Sequence, residues 1–363
     1  MIDFRYHLVS LVSVFLALAV GIVLGAGPLK ESLGTRLYDE VTSLRQDRDS
    51  LNEELRTARV AADHRDSFIS AITPTLVAQQ LGGRSVALVL LPGTNDDGHA
   101  LGDALTAAGA SVSVRLRVLD HWADADGAKD RVTAINRLAA AVPGLQLTPM
   151  PTRTATTTTS DDDGGDAGVR QLSRALSWAL ATSEIARAGR PDPLATTVLR
   201  ELRAENLVSL DGAFAGRGTE VLVIAPALPT ALVSGGSTSA GPTTSRPGAR
   251  RSGRATTTTT TQADDSAARL AAWLDLIAVM DTAESGTVVL GPASAASDGG
   301  LVSAVRSDSV LSHRVTTIDT GETPMGPVSA VLALREQLAG VARAYGFARG
   351  AHAALPSLNA VTP

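Results

Sequence analysis

The stretch Leu8–Leu29, LVSLVSVFLALAVGIVLGAGPL, carries no charge and is bracketed by Arg5 and Lys30. As a helix it is long enough to cross a hydrocarbon core of roughly 30 Å. A cleaved signal peptide is one rival, with an apolar core of about 7–15 residues that ends at a small-x-small site. Here the apolar run is longer, and the small-residue exit Gly25-Ala26-Gly27 is followed by Pro28, a poor neighbour for a scissile bond. A buried core helix is the other rival, but an N-terminal helix with no charged residue on any face suits lipid better. The expectation is an uncleaved transmembrane anchor over residues 1–29, with the bilayer as its first partner.

Small residues recur through the anchor at every fourth position: Ser13, Ala17, Gly21 and Gly25. On a helix they form one stripe along which two backbones can approach, and Gly21 to Gly25 is a GxxxG. Glycine is also simply common in membrane helices. The segment that follows bears on the choice. From Thr35 to Thr73 there is neither Gly nor Pro, and Leu37, Val41, Leu44, Arg48, Leu51, Leu55, Ala58 and Ala62 step alternately by four and three. That is the a/d seam of a coiled coil, with Arg48 as a core-position residue that fixes register at a cost in stability. Residues 30–73 are therefore expected to form a helical stalk of roughly 50 Å, ended by Pro74, that twins with a second copy as a parallel homodimer. The alternative is a single amphipathic helix lying on its own domain.

Composition narrows what the remainder can do. With 363 residues and one apolar span, there is room for a stalk and one or two soluble domains. Cysteine is absent, which excludes disulfides, thiolate metal sites and a cysteine nucleophile. A formal charge of −5 and few aromatic residues argue against nucleic-acid binding. Orientation is not legible, because the flanking charges on the two sides of the anchor nearly balance.

Residues 82–363 read as an extracytoplasmic α/β domain. Arg84–Leu91 (RSVALVLL) is a short apolar run between Gly82-Gly83 and Pro92-Gly93, as a buried parallel strand would be. A helix over His99–Ala108 and an alternating strand over Ser111–Leu119 follow. A similar unit recurs at Thr287–Leu290, Leu301–Arg306 and Arg314–Ile318, and Val221–Ile224 adds a further strand. Helices are expected at Val169–Ala188, Leu194–Asn206, Ala267–Met280 and Val328–Ala344. Strands alternating with helices predict a mainly parallel, Rossmann-like sheet with helices on both faces. Two low-complexity Thr/Ser/Gly tracts, residues 152–168 and 234–267, are expected to be disordered insertions. The first carries Asp161, Asp162, Asp163 and Asp166, read as a solvated acidic loop. The second carries Arg246, Arg250, Arg251 and Arg254, read as a linker.

Sites of chemistry are sparse. The loop Pro92-Gly93-Thr94 sits at a strand end facing a helix start, but lacks a GxGxxG or Walker pattern, and Asp96 and Asp97 would repel a phosphate. Ser294 and Ser297 follow a strand without a GxSxG. For metals, His99 with Asp96 and Asp97, and His121 with Asp124 and Asp126, are the groupings available. Copper(I) favours Cys and Met. With no Cys and with Met1, Met150, Met280 and Met325 scattered, only weak Cu(II) or zinc binding is expected. His121 and Trp122 read as a strand-end pair packed on the domain surface. No catalytic residue and no cofactor emerge, and the chain reads as non-enzymatic.

The opening MIDFRYHLVSLVSVFLALAVGIVLGAGPL, the stalk, the SVALVLLPG strand and the run PMGPVSAVLALREQLAGVARAYG resemble the actinobacterial family of mycobacterial copper transport protein B. The resemblance spans nearly the whole chain apart from the two tracts, and implies a cell-envelope protein acting in copper transport and homeostasis, with copper as a transported or weakly bound ion. The family is known as an outer-membrane, channel-like factor. It is also connected with cell separation, where a coiled-coil dimer pairs with a membrane partner and influences peptidoglycan hydrolases. Ala344 stands where the family resemblance implies a histidine, so no ligand role is carried over there. The physics adds a constraint: one span with no polar face cannot enclose a channel. Three expectations follow. They are a copper-homeostasis protein of the envelope, a non-enzymatic scaffold that regulates cell separation through a partner, and a small-molecule binder at the sheet edge near Pro92 or Gly291.

Overall fold

A computed structural model describes the backbone of residues 4–26, 28–95, 98–150, 163–228, 255–282 and 286–358. Within those, side chains are described for 6–23, 38–95, 98–150, 167–228, 265–281 and 286–358. The chain divides into two units, Met1–Ser67 and Phe68–Pro363.

The first unit holds α1 (Phe4–Ala26) and most of α2 (Pro28–Val77). Over Tyr6–Val23 the mean hydropathy of α1 is 2.3, the only such stretch among the described residues. Its side chains stand exposed, Leu11, Phe15 and Ile22 by 60%, 62% and 60%, which in water would be unfavourable and in lipid is not. Ser13 turns its hydroxyl back onto the Val9 carbonyl, 2.8 Å away, so that face presents no unpaired donor. Pro28 opens α2, where its missing N–H costs nothing. Pro74 does not end it: the helix runs through to Val77. Only the Ser70 carbonyl loses its amide donor to Pro74, and Val77 and Leu81, both fully buried, hold the last turn in the core. Burial outweighs the proline because so little helix remains beyond it.

The second unit is a mixed α/β body on a seven-stranded sheet ordered β3-β2-β1-β4-β5-β6-β7. The strands are β1 (Ser85–Leu90), β2 (Ser111–Val118), β3 (Val208–Leu210), β4 (Glu220–Ile224), β5 (Gly286–Leu290), β6 (Thr316–Ile318) and β7 (Ala344–Tyr345). All pair in parallel except β3, which runs antiparallel to β2. In β1 every residue is buried, because the sheet is covered twice. Ala87 and Val89, with Val221, Val223 and Val289, face a core built by α4 (Ala128–Ala141), α5 (Asp163–Leu180), α6 (Pro193–Ala204), α7 (Ala255–Thr282) and α8 (Leu301–Ser307). Val86, Leu88 and Leu90, with Leu222 and Val288, face the other core, built by α3 (His99–Ala107), α9 (Met325–Leu338) and the end of α2.

Several elements depart from expectation for local reasons. The helix expected over 169–188 stops at Leu180, where Ala181 bridges to Gly218 and the Thr182 amide donates to the Gly218 carbonyl at 2.9 Å. The helix expected to reach Ala344 stops at Leu338, just before Gly340 in the left-handed region (φ 77°), and Ala344 joins β7 instead. The parts of the two tracts that are described, 163–168 and 255–267, are helical; 152–162 and 234–254, with Asp161, Asp162 and the four arginines, lie outside the described residues. Trp122 is not a surface residue but fully buried, while His121 beside it is half-buried.

Candidate functional site

From β1 the sheet grows in two directions, to β2 on one side and to β4 and β5 on the other. At such a divide the loops leaving neighbouring strand ends splay apart, and open α/β sheets carry their ligand crevice there. The crevice exists in this protein. A cleft of about 760 Å³ lies over the carboxyl ends of β4 and β5, between the last turns of α2, the face of α3 and the start of α9. That volume falls within the range of sites for small organic molecules.

Its floor depends on a close backbone approach. The Gly321 amide donates to the Gly291 carbonyl at 2.8 Å, and a Cβ on Gly321 would come within 2.9 Å of that oxygen. The walls are short apolar groups, among them Ala100, Ala104, Ala225, Pro292, Pro324 and Pro327. Asp103 on α3 and Glu322 after β6 stand exposed at the rim, with Asn95 and Thr94. Thr94 is held from below, its hydroxyl accepting from Arg117 Nη1 at 3.0 Å.

Beside the cleft, Arg115 Nη1 donates to Asp211 Oδ2 at 2.9 Å and approaches His99 Nδ1 at 3.0 Å. The hydrogen bond from Arg115 holds the Asp211 carboxyl below the usual aspartate range. His99 is thus engaged by this pair, and Asp96 and Asp97, its expected companions, lie outside the described residues. The other grouping does not assemble: His121 Nδ1 meets Asp130 Oδ2 at 2.9 Å, while Asp124 takes Arg269 at 2.6 Å. Among the described residues no cluster of three or more His, Cys, Asp or Glu is placed to hold a metal ion. Ser294 and Ser297 occupy the short turn before α8, and no histidine hydrogen bond reaches either among the described residues.

Of the sequence-derived positions, Thr94 and Gly291 are brought together in the cleft. Asp103 and Glu322 were not anticipated; the signal available was a buried strand running straight into the polar loop GETP. Ser13, Ala17 and Gly21 lie exposed on α1, and beyond Gly21's chain neighbours and the adjoining helix backbone no described atom lies within 4 Å of where its Cβ would be. Gly25 and Leu37 are helical, with side chains outside the described set. Along α2, Val41, Leu44, Leu51 and Leu55 are 40%, 61%, 58% and 53% exposed. Arg48 pairs with its neighbour Asp49 at 2.6 Å.

Residues 1–356 match the family described as copper transport outer membrane protein, MctB. The chain belongs to the MctB family. Proteins named copper transporter MctB from Mycobacterium tuberculosis and Mycobacterium bovis are each 27% identical over 357 residues, covering 94% of this chain and 94% of their own. A third, from Mycobacterium leprae, is 30% identical over 137 residues, covering 38% of this chain and 43% of its own. The MctB match takes in both units, from α1 through β7.

Proposed function

We propose that this protein acts in copper transport and homeostasis at the cell envelope, held to the membrane by α1, with copper as its cargo and no enzymatic step or resident cofactor. The observation that carries the reading is the MctB match over residues 1–356, supported by relatives named copper transporters that align over 94% of their length. Among the described residues one helix is apolar and long enough to span a bilayer, and one helix encloses no path for an ion. The action on copper therefore runs through assembly. In this proposal two copies pair in parallel along α2, where Leu44, Leu51 and Leu55 leave an apolar seam exposed, and the pair engages a membrane partner. The body would lie outside the cytoplasm.

Deleting the gene should raise cell-associated copper and copper sensitivity, and a plasmid copy should restore both. Unchanged copper content in the deletion strain would remove this reading. The same seam supports a second function, a scaffold that acts on cell separation through a regulator of wall hydrolases. Chained cells with normal copper content would favour it.

A further inference from the structure

We propose that the cleft at the β1/β4 divide binds a small organic cation with an apolar body, an amine or amidine carried on a ring or short hydrocarbon. The inference is independent of the copper reading. Size and position make the cleft a ligand site, and its lining sets the ligand's chemistry. Among the described residues that line it, two are carboxylates, Asp103 and Glu322 at the rim, and none is Lys, Arg or His. Neither carboxylate forms an ion pair with another described residue. On β2, Arg115 donates to Asp211, and Arg117 donates to Thr94 at the edge of the cleft.

A phosphate or carboxylate ligand would meet two like charges and, among the described lining residues, no cation to offset them, which costs more than it gains. A sugar would find carboxylates for its hydroxyls but no aromatic ring to stack on, since no Phe, Tyr or Trp is among the described residues lining the cleft. An ammonium or amidinium group satisfies the acceptors, and an apolar body covers the alanine and proline walls. Because the carboxylates are exposed, their attraction is screened and most of the affinity must come from burying that body.

The test uses the full chain in nanodiscs, with empty nanodiscs as the reference for partitioning, and ligand-detected NMR titration of three probes of matched size. Benzamidine should bind saturably, benzyl alcohol at least tenfold more weakly, and benzoate more weakly still. Asp103→Asn with Glu322→Gln should bring benzamidine to the level of benzyl alcohol and leave benzyl alcohol unchanged. Ala100→Phe, at an exposed position on the wall, should abolish both. Benzoate binding as well as benzamidine in the unaltered protein would overturn the proposal. So would benzamidine binding that survives all three substitutions, or that equals benzyl alcohol from the outset.

Discussion

Arg306 and Asp319 form an ion pair that water barely reaches: Nη2 lies 3.0 Å from Oδ2, and the side chains are 7% and 1% exposed. Each end is saturated. Arg306 also donates to the Thr317 hydroxyl at 3.0 Å and to the Tyr345 carbonyl at 2.9 Å, while Asp319 accepts from the amides of Phe347 and Ala348 at 2.8 and 3.1 Å. The pair therefore fastens α8 and the end of β6 to the turn that follows β7. Removing one partner strands the other as a buried charge, so Asp319→Ala should cost about 3–5 kcal/mol. A thermal melt of the purified protein unchanged by this substitution would refute the assignment.

Gly346 makes room for that carboxylate. Its φ is +126°, and a Cβ there would lie 1.8 Å from Asp319 Oδ1. Gly346→Ala must displace either the turn or the carboxylate, and is expected to destabilise by about 2 kcal/mol or more. Because the clash is with Asp319, the double variant with Asp319→Ala should lose less than the sum of the two singles. Additive losses in a double-mutant cycle would show that the two positions are not coupled.

Glu220 is buried at the start of β4, and burial raises its carboxyl above the usual glutamate range, against the lowering effects of the Thr219 hydroxyl and Arg84. The Thr219 hydroxyl donates to Glu220 Oε2 at 2.6 Å and lies 3.2 Å from the Ser85 carbonyl. As pH rises past the ordinary glutamate pKa of about 4.3, the unfolded chain releases its proton while the folded chain keeps it. Stability from this group therefore falls with rising pH and is lost once the folded carboxyl ionises. Glu220→Gln should raise the melting temperature at pH 7 and leave it near the parent's at about pH 4. A substitution that lowers stability at pH 7 would show that the charged form is the one the fold uses.

Asp192 caps α6, accepting from the amides of Leu194 and Ala195 at 3.0 Å each, and pairs with Arg217 at 3.0 Å. Arg217 in turn stacks 3.5 Å from the Trp178 ring centroid. Asp192→Ala should cost about 1–2 kcal/mol, and Asp192→Asn, which keeps the cap and loses the charge, less than half of that. Equal losses in chemical denaturation would assign the effect to the ion pair rather than to the cap.

On α2 the expected seam can be broken without touching the α/β body. Leu44→Asp with Leu51→Asp should convert cross-linked dimers to monomers and remove the copper phenotype together. Arg48→Leu should strengthen association, since a charged residue at a core position costs stability. A monomeric double variant that still complements the deletion would separate pairing from function.

The buried strands were legible because they are short uniform apolar runs: β1, β4 and β5 each announce themselves between Gly, Pro or acidic breaks. The apolar helix α1 was legible for the same reason, on a larger scale. What escaped was set by neighbours rather than by local pattern. β3 is three residues, Val208–Leu210, and becomes a strand only because β2 is beside it. β7 is two residues and carries no period to detect. α4, an alanine-rich helix over 128–141, had too few large apolar residues to stand out, yet Ile135 and Leu138 are fully buried. The cleft was half visible. Thr94 and Gly291 follow strand ends that the sequence marks, whereas Asp103 and Glu322 come together only through the order of the strands, which no single sequence states.

The sheet's two borders are stubs, three residues of β3 on one side and two of β7 on the other. Neither offers a run of free amides and carbonyls long enough for a second molecule to zip onto. Crowded copies of the head therefore have little means of polymerising by strand exchange, and any joining between them is left to other surfaces.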